Sequence, residues 1–299
     1  MGNSAEQLAD LEEAEMRLIH IIDAPIRLNN FDTGNISLHY ASAGSGVPLL
    51  LIHGANIGWG SWYCNIPALA RSFALVLPDL PGCGGSSPMG LEQDSRERTI
   101  ESIIALKKRL WPEKSIAVAG HSFGAWLAMQ LLHRYPEHIR KVLAFGPVGL
   151  VRTLPITQYP ISISAIAWVI SKTVFYPSVY NLKRFMAMPL FKKTTMPKEF
   201  IEYYRSAILK KRTKHPILFM SELSRMVRLQ SEMYLGDILK NNAGKARCII
   251  GERDPFFDAN FIAQEYGSDL ICIMKGVGHV PPIEDPAGFN RIVLDFLLE

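Results

Sequence analysis

The sequence predicts an α/β protein whose mostly parallel sheet is flanked by helices. Apolar runs of strand length recur along the chain, at residues 49–52, 116–119, 141–145, 246–250 and 270–274. The run at 116–119 leads into Gly-His-Ser-Phe-Gly (120–124) and then into the helical stretch 125–133, which is a strand, a tight turn and a helix in succession. About a hundred residues separate the run at 141–145 from the run at 246–250, far more than an ordinary connection. This length predicts an inserted unit.

The first predicted element is an amphipathic helix over residues 5–20. Apolar side chains recur there at helical spacing, at Leu8, Leu11, Met16 and Ile19. We expect this helix to pack on its own domain. Residues 1–10 are polar, unlike a secretory signal peptide, so the sequence predicts a cytoplasmic protein, with a membrane or lipid-droplet surface as the alternative location.

The strand at 49–52 ends in His53-Gly54, and the loop that follows can present the backbone N–H of Ala55. A donor at this place suits an oxyanion hole, which needs N–H groups aimed at a developing negative charge. The second predicted donor is Phe123, the residue after the serine of the tight turn.

Ser122 is the predicted nucleophile. The turn between strand and helix is so tight that its serine takes strained backbone angles, and its neighbours on either side in the motif, Gly120 and Gly124, must be glycines. The hydroxyl is then held above the carboxyl end of the sheet.

A serine hydroxyl needs a base to accept its proton, and that base needs a carboxylate to hold its tautomer. His279, in the Gly-rich loop after the last strand, is the predicted base. Asp254, in the loop after the strand at 246–250, is the predicted acid, with Asp258 and Glu252 as alternatives in the same loop.

The other polar candidates are interpreted as structural. His121 is expected to orient the turn at Ser122, and His53 to serve as a hydrogen-bond partner of its loop. Asp79 and Asp285 are expected to stabilise loops. The remaining histidines are expected at the surface or on helices: His20, His39, His133, His138 and His215.

The order serine, acid, histidine resembles the α/β-hydrolase superfamily, and so does Asp79-Leu-Pro-Gly-Cys-Gly-Gly-Ser-Ser87. The resemblance spans most of the chain. It implies an eight-stranded sheet with a helical cap after the sixth strand. Superfamily relatives with an aspartate nucleophile, such as epoxide hydrolases and dehalogenases, are excluded by Ser122.

Within the superfamily, the chain most resembles the eukaryotic lysophospholipases, the N-acyl-phospholipid lipases and the related lipid-droplet lipase coactivator. The shared features include Trp62 eight positions after Gly54 and Gly278-His279 followed by Asp285-Pro286. The coactivator lacks the serine, so Ser122 favours an enzyme. The branch also has a His-x4-Asp pattern linked to acyl transfer; Glu284 stands at that Asp position here, which argues against acyltransferase activity.

Residues 148–232 are predicted to form the cap, and residues 1–147 and 233–299 the core. Six prolines divide the cap into short helices. Its many methionines and aromatic residues would suit a flexible apolar acyl chain. Its Lys192-Lys193 and Lys210–Lys214 segments are either a solvated face or a contact for anionic phospholipid.

Three tryptophans, Trp59, Trp62 and Trp126, are interpreted as pocket walls or as core residues.

The amino-acid composition excludes several other classes of protein. The 299 residues are 48% hydrophobic and 20% charged, which argues against disorder, and a net charge of +4 does not favour nucleic acid as a partner. The four cysteines lack paired spacing and are expected to be reduced. No metal-ligand spacing or phosphate-binding loop occurs, so no cofactor is predicted.

The sequence therefore predicts a serine hydrolase that cleaves a carboxylic ester, with a lipid or another apolar acyl ester as substrate. Three alternatives stay open. The first is a hydrolase of small-molecule esters or C–C bonds that uses the same residues. The second is a lyase that uses them as acid and base only, and the third is a binding protein that has kept the fold.

Overall fold

A computed structural model describes residues 10–55, 58–88, 95–152, 166, 196–209, 224–225, 228–229 and 231–299. Its centre is an eight-stranded sheet. The strands are β1 (Arg27–Asp32), β2 (Ser37–Ala43), β3 (Val47–Ile52), β4 (Phe73–Pro78), β5 (Ile116–His121), β6 (Ile139–Phe145), β7 (Ala246–Gly251) and β8 (Ile271–Met274).

The spatial order of the strands is β1-β2-β4-β3-β5-β6-β7-β8. The pairings of β1 with β2 and of β2 with β4 are antiparallel, and all other pairings are parallel. The predicted fold class, a mostly parallel eight-stranded sheet flanked by helices, is therefore confirmed.

Helices cover both faces of the sheet. They are α1 (Leu11–His20), α2 (Ile66–Leu69), α3 (Ser95–Leu110), α4 (Phe123–Arg134), α5 (Lys198–Leu209), α6 (Gly236–Asn241), α7 (Ala259–Tyr266), α8 (Pro281–Glu284) and α9 (Pro286–Leu298), with a 3₁₀ helix at Trp59–Trp62. Residues 224–225 pair with 228–229 as a short ribbon. Within the described ranges, no helix combines the length and the apolar character that crossing a membrane requires.

The central strands are continuous apolar runs because both of their faces are buried. In β3, Leu49 and Leu51 belong to one core cluster, whereas Leu50 and Ile52 belong to the other. Side chains alternate between the faces of a strand, so one run of four residues contributes to both layers.

The buried face of α1 differs from the predicted one. The helix begins after Asp10, whose side chain accepts a hydrogen bond from the N–H of Leu11. Its buried residues are Leu11, Ala14, Glu15 and Leu18, spaced i, i+3, i+4 and i+7. Met16, one of the apolar residues that predicted the helix, lies off this stripe and is 57% exposed.

The strand order reverses around β3, which has β4 on one side and β5 on the other. In open α/β sheets, such a reversal leaves a crevice at the carboxyl ends of the strands. The loop after β3 and the turn after β5, which carry most of the predicted site residues of the first half of the chain, both open into this region.

Most of the predicted cap lies outside the described residues, including its basic segments and most of its methionines. Gly149 and Leu235 lie near the two ends of the predicted cap. The carbonyl of Gly149 accepts a hydrogen bond of 2.9 Å from the N–H of Leu235. Helix α5, within the stretch, packs on α1, and Arg17 of α1 pairs with Glu202 at 3.1 Å. The division into core and cap stays a prediction.

Candidate active site

Ser122 occupies the turn between β5 and α4, as the motif predicts. Among the described residues it is the one non-glycine residue with a positive φ, at 53°. A residue held in such a sparsely populated region typically costs about 1–3 kcal/mol, and surrounding structure must maintain it. The N–H of Ser122 donates to the carbonyl of Phe145 at 2.8 Å, and the residue remains partly exposed.

Close approach of the backbone explains the two glycines of the motif. A Cβ atom at Gly120 would overlap the carbonyl of Gly124, and a Cβ atom at Gly124 would overlap the carbonyls of Ile52 and His53. Backbone atoms cannot move aside as a side chain can. The turn therefore needs glycine at both positions if α4 is to start directly above β3 and β5.

His279 lies against a carboxylate. Its Nδ1 is 2.8 Å from Oδ2 of Asp254, whose side chain is almost fully buried. Because a carboxylate only accepts, Nδ1 carries the proton in this hydrogen bond, and Nε2 of the neutral ring is left to accept one. The ring of Phe256 meets the imidazole edge to face at 4.6 Å and restricts its rotation.

The three acids of the loop after β7 have separate partners. Asp258 caps helix α7 by accepting from the N–H of Phe261 at 3.0 Å, and Glu252 accepts from the N–H of Gly276 at 2.8 Å. Both are exposed. Of the three candidates, the structure thus brings only Asp254 to His279.

Gly146, one residue beyond β6, makes room for this pair. Its φ is 48°, and a Cβ atom there would lie 3.1 Å from Cε1 and Nδ1 of His279 and 3.2 Å from Oδ2 of Asp254. The imidazole and the carboxylate therefore sit against the carboxyl end of β6, next to the strand that leads to Ser122.

The loop of His279 also contacts the turn at Ser122. Nε2 of His121 donates to the backbone carbonyl of His279 at 2.8 Å, and the two imidazole rings are 5.0 Å apart. No hydrogen bond joins Ser122 Oγ to His279 in the described part of the chain. Catalytic hydrogen bonds are often long without substrate and tighten when it binds.

The loop after β3 is held beside Ser122. Nε2 of His53 accepts from the N–H of Leu80 at 2.9 Å, and its Nδ1 donates to the carbonyl of Gly54 at 2.5 Å. A Cβ atom at Gly54 would lie 3.3 Å from Cβ of Ser122. Ala55 follows Gly54 directly, and Phe123 follows Ser122 and begins α4, so each predicted donor residue is adjacent in sequence to a residue of this contact.

Asp79 anchors the segment that follows this loop. Its Oδ1 accepts from the N–H of Trp59 and its Oδ2 from the N–H of Gly85, both at 2.7 Å, as expected of a loop-stabilising residue. Burial raises the pKa of Asp79 to about 6, although these two N–H donors oppose the rise.

The three tryptophans are almost completely buried, which favours their interpretation as core residues over that as pocket walls. Their exposed fractions are 0% for Trp59, 1% for Trp62 and 2% for Trp126. Trp59 donates its indole N–H to Oε1 of Glu15 at 2.7 Å, and Trp62 packs on a phenylalanine of α9. All three are core residues, which was the other interpretation.

One group of described residues has the donor types of a metal site: Glu15, His39 and Asp79, whose donor atoms lie within 4.8 Å of one another. Oε1 of Glu15 is 3.2 Å from Nε2 of His39. His39 was expected at the surface, but its side chain is largely buried against this carboxylate. Hydrogen bonds from Trp59 and Gly85 already engage both acids, so the group needs no ion to account for it.

His121 should make the stability of the protein depend on pH. Burial, with a smaller contribution from His279, lowers the pKa of His121 from 6.5 to about 3. Below pH 6.5 the unfolded chain therefore binds a proton that the folded protein does not, so the free energy of unfolding falls as the pH falls.

The test is His121→Gln, which can keep an N–H donor for the His279 carbonyl without an ionisable ring. We expect the stability advantage of the wild type over this variant to shrink by about 2 kcal/mol between pH 7 and pH 5, measured by urea denaturation. A difference that stays constant over this range would show that His121 is not held neutral by the fold.

The sequence profile described as the alpha/beta hydrolase fold matches residues 47–270. The chain is 26% identical to 2-hydroxymuconate semialdehyde hydrolase of Pseudomonas sp. (strain CF600) over 285 residues, covering 93% of each protein. It is 25% identical to 2-hydroxy-6-oxo-6-phenylhexa-2,4-dienoate hydrolase of Burkholderia cepacia over 288 residues, covering 91% of this chain and 95% of that one.

Among solved structures, carboxylesterase CesB from Bacillus subtilis superposes with a TM-score of 0.74. It covers 96% of both chains at 17% sequence identity. At this identity the likeness concerns the fold alone.

Proposed function

Because this chain belongs to the alpha/beta hydrolase fold family, we propose that it is a serine hydrolase that cleaves a carboxylic ester through an acyl-enzyme on Ser122. The observation that carries the proposal is the 2.8 Å hydrogen bond between Asp254 and Nδ1 of His279, in a loop bonded to the residue before Ser122. That arrangement leaves Nε2 of His279 as the ring nitrogen that can accept a proton, in a loop that contacts the turn where the partly exposed Ser122 is held at a strained φ.

In the proposed reaction, Ser122 Oγ attacks the ester carbonyl while His279 Nε2 takes its proton. Asp254 stabilises the imidazolium that forms. The N–H groups of Ala55 and Phe123 receive the negative charge of the carbonyl oxygen, and one such donor is typically worth about 3–4 kcal/mol. His279 then returns its proton to the leaving alcohol as the C–O bond breaks. Water, activated by the same imidazole, releases the acid and restores the serine.

The substrate class we propose is an ester with an apolar acyl chain. Support comes from the sequence resemblance to lysophospholipases and N-acyl-phospholipid lipases, which is carried by the residues after Gly54 and around His279. We also propose the predicted cap, residues 148–232, as the unit that would cover the acyl chain.

A second candidate is hydrolysis of a C–C bond, and a specific observation favours it. The two relatives are named for substrates that contain a carbonyl group but no ester or amide bond, so their hydrolysis must break carbon from carbon. The same residues could serve. Ser122 would attack the ketone or aldehyde carbon, and the electron pair of the broken bond would pass to a carbon fragment that leaves as an enolate and takes the proton.

Two measurements test the proposal. Intact-mass spectrometry after treatment with a fluorophosphonate should show one adduct, which Ser122→Ala should lack; a folded, unlabelled protein would favour the lyase or the binding protein. Rates with p-nitrophenyl esters of increasing acyl length should then rise from acetyl to longer chains. A sharp optimum at acetyl would overturn the apolar-chain assignment, and faster turnover of a 2-hydroxy-6-oxo-dienoate would establish the second candidate.

A further inference from the structure

Glu284 lies five residues after the proposed base, and its carboxylate holds the backbone on both sides of His279. Its Oε2 accepts from the N–H of Gly278 at 2.7 Å, and its Oε1 accepts from the N–H of Val280 at 2.8 Å. Glu284 is 4% exposed, and both N–H groups belong to buried residues. We call this pair of hydrogen bonds the Glu284 clasp.

The local sequence explains how the carboxylate reaches back. Pro281 and Pro282 start the one-turn helix α8, where prolines are tolerated because the first N–H groups have no partner within a helix. The N–H of Glu284 donates to the carbonyl of Val280 at 3.0 Å and closes the turn. The side chain of Glu284, the last residue of α8, then lies over residues 278–280, which precede the helix.

The loop that carries His279 needs contacts with other residues to fix its conformation. His279 is preceded by Gly276 and Gly278, and Gly276 already has a positive φ of 68°. Glycines allow many backbone conformations, so a loop that contains two of them does not define the position of a side chain by itself. The clasp fixes the N–H groups of both neighbours of His279, and His121 holds the carbonyl of His279 itself.

We propose that Glu284 is a positioning residue, which holds the His279 backbone so that the imidazole can meet Asp254 and Ser122 together. This inference rests on the proposed function of Ser122 and His279. In this role the Glu284 side chain acts on the main chain of the base and not on a substrate.

Two variants separate the clasp from simple packing. Glu284→Gln keeps the size of the side chain but puts an NH₂ group against one of the two N–H donors, so one hydrogen bond is lost and two donors face each other. Glu284→Asp keeps two acceptor oxygens on a side chain shorter by one methylene. The clasp predicts that Gln is the more harmful change, whereas a packing role predicts that Asp is, because only Asp leaves a void.

The measurement is the second-order rate of reaction of Ser122 with a fluorophosphonate, together with kcat and KM for a p-nitrophenyl ester. For Glu284→Gln we expect both the labelling rate and kcat to fall about 10- to 100-fold with KM within about twofold, since a misplacement near 1 Å can cost this much. Glu284→Asp should recover part of this loss.

Asp285→Ala is the matched control. Asp285 is the neighbouring acid and caps α9 by accepting from the N–H of Gly288 at 3.0 Å, so its loss destabilises the same C-terminal region without touching the clasp. We expect its labelling rate, measured well below its melting temperature, to stay within about twofold of the wild type.

The outcomes distinguish this inference from the function on which it depends. If the wild type is not labelled, the proposed function fails. If the wild type is labelled and Glu284→Gln reacts as fast, or if Asp is the worse substitution, the positioning role is overturned. A proton NMR spectrum adds a readout that needs no turnover: the downfield Nδ1 proton shared by His279 and Asp254 should be present in the wild type and broadened or lost in Glu284→Gln.

Discussion

Replacement of Ser122 by alanine is expected to lower kcat by about 10³- to 10⁶-fold while the protein stays folded. The loss is large because the proposed reaction has no other nucleophile: without Oγ, no acyl-enzyme forms, and only the N–H donors of Ala55 and Phe123 still act on the carbonyl. Fluorophosphonate labelling should disappear together with ester hydrolysis. A variant that keeps its turnover would assign the chemistry to a different group.

The companion variant Ser122→Gly separates catalysis from strain. Both variants remove the hydroxyl, so both should lose the same activity. Only glycine adopts a φ of 53° without steric cost, which is worth about 1–3 kcal/mol, while the greater freedom of glycine in the unfolded chain costs about 0.5–1 kcal/mol. Ser122→Gly should therefore be the more stable of the two in urea denaturation, and a Ser122→Gly variant less stable than Ser122→Ala by about 1 kcal/mol would mean that the turn at Ser122 stores no strain.

Replacement of Asp254 by asparagine is expected to lower kcat by about 10⁴-fold. Asparagine keeps the shape of the side chain, but its NH₂ group can face Nδ1 of His279 and favour the tautomer with its proton on Nε2. A ring in that tautomer cannot accept the proton of Ser122. The Asp254→Asn variant also loses the negative charge that stabilises the imidazolium of His279.

Asp258→Asn is the control, because Asp258 lies in the same loop and was an alternative acid. Asparagine still caps α7 well, so this variant should retain kcat within about twofold and lose little stability. The measurement is kcat with a p-nitrophenyl ester for both variants at several pH values. A larger loss in Asp258→Asn than in Asp254→Asn would reverse the assignment of the acid.

Local patterns in the sequence were enough to place the turn and the loops of the candidate site. The turn at Ser122 needs only a strand, two glycines and a helix, all of which are adjacent in sequence. The loops of Asp254 and His279 each follow an apolar run, and in a parallel sheet the carboxyl ends of such runs share one edge. Local sequence could not decide between Asp254 and Asp258, because the decision depends on which carboxylate contacts the imidazole of His279, 25 residues after Asp254.

The sequence patterns did not predict the contacts between distant segments of the chain. The indole of Trp59 looked like a pocket wall, but a carboxylate 44 residues earlier accepts its N–H in the core. His39 and Glu15 each look like surface residues, and only the packing of α1 against the sheet brings them together. The clasp of Glu284 lay within a short segment, yet a carboxylate after a histidine gives no sign of whether it binds substrate or backbone.

The hydrogen bond between Gly149 and Leu235 has a consequence for how such an enzyme can change. It joins residues near the two ends of the predicted cap, so a shorter or longer cap should leave the strand register untouched. Each doubling of a loop costs only about 0.6 kcal/mol of closure entropy. Selectivity could thus diversify through changes of length in the part of this cap outside α5, which packs on α1, while the residues around Ser122 and His279 are kept.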